Sequence, residues 1–150
     1  MAQFKYTLVK EGSESVLLFD GIINEFVELP DVIKGLDSVT VDLSQVHMIN
    51  SSGIGLWVKW INIFNKSCQI KFRKVPQVIV EQMNMAKGFT GEGNVVLSFY
   101  APYYFADKDV VKTVLQEMGK NFLQKSADSD GWLKIPEKIV DPKTKDEGEL

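Results

Sequence analysis

Residues 39–56, which read VTVDLSQVHMINSSGIGL, decide the fold of this chain. A β-branched run ends in Asp42-Leu43-Ser44, a second short apolar run covers residues 46–49, and three small polar residues follow. Gly53 then opens a long apolar segment with helical spacing. β-branched runs favour strands, whereas Asn and Ser favour the first positions of helices. The stretch therefore predicts a strand, a polar turn and a helix, with hydroxyl groups at the positive end of the helix dipole.

The polar turn resembles the phosphorylation loop of the STAS domain, the fold of bacterial anti-sigma-factor antagonists and of sulfate-transporter tails. Val41-Asp42-Leu43-Ser44 matches the strand end of the family pattern. Ile49-Asn50-Ser51-Ser52-Gly53-Ile54-Gly55 matches the loop, with Asn50 in place of the usual Asp. The resemblance covers roughly residues 4–97 and does not include the last third of the chain.

The resemblance implies an α/β fold, in which a STAS-like mixed β-sheet carries helices mainly on one face and is followed by a C-terminal extension. Residues 1–97 would form the STAS-like domain and residues 98–150 the extension. It also implies a non-enzymatic bacterial signalling module whose protein partner is an anti-sigma factor or a switch kinase. Ser51 would be the phosphoacceptor, and Asn50, Ser52 and Gly53 would shape the switch loop.

The same loop also has a simpler interpretation, in which it only caps a helix, because Asn and Ser are preferred capping residues in any protein. If Ser51 is phosphorylated, we expect the backbone N–H groups of Ser52, Gly53 and Ile54 to bond the phosphate. Asn50 removes a carboxylate that the family loop has. This change either weakens recognition by a kinase or relieves repulsion of a phosphate, and the sequence leaves both effects open.

Composition bounds the class of protein. A chain of 150 residues that is 45% apolar suits one domain, or a small domain with an appendage. A net charge of −3 gives no general reason to bind nucleic acid or a membrane surface. The start of the chain lacks an apolar signal segment, and a single cysteine suits a reducing compartment. We therefore expect a cytoplasmic protein.

No motif in the sequence indicates catalysis or a cofactor. Cys68 is the only cysteine and His47 the only histidine, so neither a cysteine metal cluster nor a Ser–His–acid triad is indicated. A phosphate-binding GxxxxGK[ST] motif does not occur. We therefore predict no metal, no cofactor and no enzymatic activity.

Hydrophobic periodicity predicts the order of the elements. Strands are predicted at residues 5–10, 16–19, 39–41 and 69–73 and from residue 95, and helices at residues 30–36, 52–65 and 78–86. Asp20-Gly21 is predicted to end the second strand. Residues 98–115 predict a hairpin, although a helix over residues 110–122 also fits the spacing. The polar residues 125–150 predict a tail that is mobile towards its end.

The helix over residues 52–65 also has apolar residues on the side that should face solvent. Leu56, Trp60 and Ile63 lie about half a turn from the core-facing residues. One interpretation is that the C-terminal segment covers them, and the other is that they form a partner or dimer surface. A self-associating structural module with a vestigial loop is therefore one alternative function. A sensor that binds a small anion or a nucleotide at the helix N-terminus is another.

Overall fold

The computed structural model describes residues 3–86, 88–123, 132–133, 138–140 and 146–150. In these ranges the chain forms a five-stranded sheet, a four-stranded sheet, a two-stranded sheet and two helices. In chain order the elements are β1 (Lys5–Glu11), β2 (Glu14–Ile23), β3 (Ser38–Ile49), α1 (Ser51–Phe64), β4 (Gln69–Arg73), α2 (Gln77–Met85), β5 (Val95–Val96), β6 (Ser98–Phe105), β7 (Val110–Glu117), β8 (Phe122–Leu123), β9 (Trp132–Leu133), β10 (Lys138–Val140) and β11 (Glu147–Glu149).

The five-stranded sheet has the order β1-β2-β3-β4-β5, in which β1 and β2 are antiparallel and the remaining neighbours are parallel. The three parallel connections step across the sheet in one direction. Because such crossovers are almost always right-handed, they place their connecting segments on the same face of the sheet. In agreement, α1 and α2 contribute buried side chains to one hydrophobic cluster. The chain is therefore a mixed α/β fold, as the sequence predicts.

The predicted hairpin at the start of the chain is confirmed, but its second strand is longer than the sequence indicates. β2 continues past Asp20-Gly21 as far as Ile23, with irregular pairing to β3 on either side of this dipeptide. Gly21 has a φ of 110°, and a Cβ there would lie 2.6 Å from the carbonyl oxygen of Gln3. The glycine therefore permits a bulge within a continuing strand rather than ending it.

Two further predictions in this half of the chain are corrected. The two runs around Ser44 form one continuous strand, β3, rather than a strand and a separate short run. Residues 30–36 form hydrogen-bonded turns instead of a helix, with Lys34 N–H bonded to the Asp31 carbonyl and Leu36 N–H to the Ile33 carbonyl. A segment this short gains little from helix formation, and burial of Ile33 fixes its path instead.

Aromatic side chains fill the space between α1 and the sheet. Trp57 is fully buried and contacts Phe19 of β2, Phe72 of β4 and Phe89. Its indole N–H donates a 2.8 Å hydrogen bond to the carbonyl of Phe89, so the ring is buried without an unpaired donor. The predictions of a helix after the polar loop, of β4 and of α2 are confirmed within one residue at each end.

The four-stranded sheet has the order β10-β11-β6-β7 and is antiparallel. Residues 98–117 form the hairpin of β6 and β7, so the helix alternative for residues 110–122 is wrong. Side chains of Ala101, Tyr103 and Phe105 build a small second core. A parallel bridge between Val75 and Phe99 joins this hairpin to the end of β4.

The predicted tail lies partly outside the described residues. Of its last residues, Glu147–Glu149 forms β11, which pairs with β6 and β10. Asp146 forms an ion pair with Lys108 at 3.5 Å. The division of the chain at residues 97 and 98 stays a prediction. In the described ranges, neither helix has the length and apolar content needed to cross a membrane.

Candidate functional site

The predicted switch loop lies where the parallel strands β2 and β3 end together. Ile23 and Ile49, the last residues of the two strands, are register partners. Asn50 follows at once and is the N-cap of α1, with extended backbone angles of φ −101° and ψ 178°. The carboxyl ends of parallel strands are the usual place for ligand and partner sites in α/β sheets. The sequence therefore carries its small polar residues to this edge of the sheet.

Asn50 fixes the loop through its side chain and its backbone. Its side-chain Oδ1 accepts a 2.8 Å hydrogen bond from the N–H of Gly53, and its Nδ2 donates to Glu25 at 2.9 Å. Its backbone N–H donates to the carbonyl of Ile23 at 3.1 Å, and its carbonyl accepts from Ile54 at 2.9 Å. One residue therefore connects the end of β2, the segment after β2 and the first turn of α1.

Gly53 is required by close packing rather than by an unusual backbone angle. A Cβ at this position would clash with the carbonyl group of Ile23, at the end of β2. Gly55 lies two residues further along α1, and a Cβ built there would have no atom within 4 Å. The helix therefore starts in direct contact with the strand end because residue 53 has no side chain.

Ser51 and Ser52 are exposed at the first two positions of α1. Among the described residues, neither hydroxyl has a hydrogen-bond partner. The expectation for the backbone donors is corrected, because the N–H groups of Gly53 and Ile54 are already bonded to Asn50. The donors left at the helix end in this part of the structure belong to Ser51 and Ser52 themselves.

The electrostatics of the loop combine a helix N-terminus with one nearby carboxylate. The first turn of α1 contains no acidic residue. Glu25 supplies the carboxylate from the other side of the loop, and its hydrogen bond from Asn50 lowers the pKa of this exposed group below its ordinary value. An Asp at position 50 would instead face Glu25 with a like charge. The Asn that departs from the family pattern therefore matches the acidic residue beside it.

The other matched motif, Asp42-Leu43-Ser44, has a structural role in the sheet. Asp42 Oδ1 accepts bonds from the N–H and hydroxyl of Ser44, at 3.0 and 2.7 Å. Its Oδ2 accepts a 2.8 Å bond from Arg73, whose guanidinium also binds both oxygens of Glu11. Burial raises the pKa of Asp42, but the bonds from Ser44 and Arg73 outweigh this effect and hold the pKa below its ordinary value.

A groove of about 640 Å³, which the sequence patterns do not predict, is lined in part by Asn24 and Phe26. Phe4 and Tyr6 line it from the first hairpin, and Phe26 and Val27 line it from the segment after β2. Phe26 is 83% exposed although it is aromatic. The feature of the sequence that could have indicated this groove is Phe26, an aromatic residue that directly follows the polar residues Asn24 and Glu25.

The prediction for the outer side of α1 is wrong for Trp60. This side chain is 4% exposed and packs on Trp57 and Phe64. Its indole N–H donates a 2.7 Å hydrogen bond to the carbonyl of Pro30. The segment between β2 and β3 therefore contributes to covering Trp60, which is buried within a single chain.

The two other residues of that predicted surface differ from Trp60. Leu56 is half-buried, and Ile63 is 66% exposed. Ile63 therefore remains available to a partner, whereas Trp60 belongs to the core.

Comparisons of the chain with protein-family models and with curated proteins give no match. Within the described ranges, no group of three or more His, Cys, Asp or Glu side chains is placed to hold a metal ion. Cys68 is buried, and burial raises the pKa of its thiol, which disfavours the reactive thiolate.

Proposed function

We propose that this chain is a STAS-like, non-enzymatic signalling module that binds a partner protein and releases it when Ser51 is phosphorylated. The observation that carries the proposal is the position of the Ser51 hydroxyl. It is exposed at the N-terminus of α1, and it directly follows a residue that fixes the loop. A kinase could reach this hydroxyl without unfolding the helix.

The loop geometry supports tolerance of the phosphorylated state. A phosphate on Ser51 adds a charge of about −1.5 to −2. The helix N-terminus stabilises such a charge by roughly 0.3–1 kcal/mol at an exposed site. The N–H groups of Ser51 and Ser52 are the donors next to it. Glu25 opposes the added charge, so the net stabilisation of the phosphorylated chain is small.

A docked partner would respond more strongly than the module itself. Closing a protein surface over the loop removes water from the phosphate, and desolvation of an unpaired charge is costly. The exposed side chain of Phe26 follows Glu25, which is bonded to Asn50, so it extends the proposed docking face beyond the loop. An anti-sigma factor or a switch kinase is the partner class that the loop pattern suggests.

The phosphorylation step can be tested by mass spectrometry of the protein isolated from its native cells. We expect one phosphate, mapped to Ser51. Ser51→Ala should abolish it, and Ser52→Ala is the matched control that should retain it, because both hydroxyls are exposed on adjacent residues. A phosphate that maps elsewhere, or none in cells with a demonstrably active kinase, would argue against the proposal.

The binding step requires a second measurement. The kinase that modifies Ser51 is the first candidate partner, and its complex with the full chain can be measured by titration calorimetry. We expect Ser51→Asp to weaken binding at least tenfold, whereas Ser51→Ala binds like the wild type. Equal affinities for all three proteins would mean that the loop does not control release.

A further inference from the structure

The outer edge of β1 is open in the described structure. β1 is the last strand of the five-stranded sheet, and among the described residues it pairs with β2 alone. Its pairing with β2 is regular over seven residue pairs, without a bulge, and the strand contains no proline. Bulges, prolines and charged side chains, above all lysines, are devices by which proteins protect a free sheet edge. Of these, β1 has only charged residues near its ends, so the backbone groups at its centre are unprotected.

The hairpin geometry determines which residues of β1 present those groups. Gly12 and Ser13 form a two-residue turn, so Glu11 and Glu14 close it as a hydrogen-bonded pair. In an antiparallel pair, bonded and non-bonded residues alternate. The backbone N–H and C=O groups of alternate residues therefore point away from β2, and these residues are Tyr6, Leu8 and Lys10.

The side chains along β1 match those of a second, antiparallel copy. A two-fold axis at Leu8 pairs Leu8 of one copy with Leu8 of the other, and Tyr6 with Lys10. In this register the outward-pointing backbone groups of the two strands face each other and can form hydrogen bonds. The same register overlaps the whole strand and sets Lys5 opposite Glu11 of the second copy, twice by symmetry. Opposite charges on directly paired residues stabilise a ladder, and like charges destabilise it.

The uncharged centre of the strand is consistent with pairing. The charged residues Lys5, Lys10 and Glu11 lie near the ends of β1. A lysine that prevents pairing with another chain would be most effective in the middle of the strand. Tyr6 and Leu8 lie near the axis and are 41% and 40% exposed. In the paired state these two apolar side chains would be covered further.

We propose that two copies of this chain associate through their β1 strands, so that the two five-stranded sheets join into one. The inference does not depend on the proposed function, because it uses no residue of the switch loop. A single pair of short strands is a small interface, so the dimer should be weak and depend on concentration.

The test uses charge changes in the full chain, with mass measured by sedimentation equilibrium over a range of concentrations. Lys5→Glu places like negative charges opposite each other in the homodimer, and Glu11→Lys places like positive charges opposite each other. Each variant alone should dimerise roughly tenfold more weakly than the wild type, because two symmetry-related pairs change from attraction to repulsion. An equimolar mixture of the two variants should dimerise like the wild type, since the mixed pair restores both attractions.

Matched controls separate this interface from general charge effects and from misfolding. Lys66→Glu and Glu92→Lys make the same charge changes at exposed positions outside β1 and should dimerise like the wild type. Glu11 also binds Arg73, so circular dichroism must show that Glu11→Lys is folded. A wild type that is monomeric at every concentration would overturn the proposal. So would a dimer that Lys5→Glu leaves unchanged, or a mixture no stronger than its components.

Discussion

Two residues of the loop fix its structure, and two others expose their side chains to solvent. Asn50 bonds to β2, to the segment after β2 and to α1, and Gly53 allows the helix to touch the strand end. Ser51 and Ser52 make no side-chain hydrogen bond among the described residues. The two serines are therefore free to serve another purpose, whereas Asn50 and Gly53 are structural.

Replacing Gly53 by Ala should destabilise the fold, because the new Cβ meets the carbonyl group of Ile23 and the helix start must shift. We expect a loss of about 1–3 kcal/mol in the free energy of unfolding, measured by urea denaturation. Gly55→Ala is the matched control. It has open space and should stabilise the helix by roughly 0.5–1 kcal/mol. Equal effects at both positions would contradict the packing argument.

At the scale of elements, a charged network connects strands that are not all neighbours. Arg73 of β4 binds Asp42 of the adjacent β3 and Glu11 of the edge strand β1. Asp42 is 5% exposed, so its charge depends on these bonds for compensation. The network therefore ties the first hairpin to the parallel part of the sheet on the face opposite Trp57.

The network predicts an acid-sensitive stability. Because the folded-state pKa of Asp42 lies below its unfolded value, its contribution is complete above the unfolded pKa of about 4 and is lost as the pH falls through the folded value. The free energy of unfolding should therefore decrease below about pH 4. Asp42→Asn should lower stability by roughly 1–3 kcal/mol at pH 7 and flatten this acid slope.

The matched control for Asp42→Asn is Asp31→Asn, at an exposed position in the turns after Pro30. Denaturant titrations at several pH values between 2 and 7 measure the slopes of both variants and the wild type. If the two variants lose the same stability and show the same slope, the buried network is not the source of the acid sensitivity.

At the scale of the whole molecule, the two sheets are joined by backbone bonds and by one shared aromatic residue. The N–H of Val75 donates to the carbonyl of Ser98, and its carbonyl accepts from Tyr100. Phe99, between these partners, packs against the main core and against the small core of the second sheet. Stability in one sheet should therefore depend on the other.

Phe99→Ala should remove contacts from both cores at once. We expect a loss of about 2 kcal/mol in the free energy of unfolding, which is less than for a fully buried Phe because this side chain is half-buried. Far-ultraviolet circular dichroism and tryptophan fluorescence should still report one coincident transition. Val111→Ala, at a residue that is 61% exposed in β7, should change stability by no more than about 0.5 kcal/mol. A Phe99→Ala variant as stable as this control would contradict the shared role.

The sequence by itself determined the elements with strong local patterns. The apolar spacing of α1, the β-branched run of β3 and the capping residues at Asn50-Ser51-Ser52 indicated the strand, loop and helix that the structure contains. The residue types of 98–115 also indicated the hairpin that β6 and β7 form. These features depend on neighbours in the chain, so a local reading of residue types could find them.

Only the tertiary structure decided the faces and the partners of these residues. Trp60 is buried by the segment after β2, a contact over 30 residues of sequence that periodicity could not reveal. The pairing of Asn50 with Glu25, the groove beside Phe26 and the open edge of β1 likewise depend on which distant segments meet. Burial and hydrogen bonding are properties of assembled neighbours in space, whereas propensity is a property of the local chain.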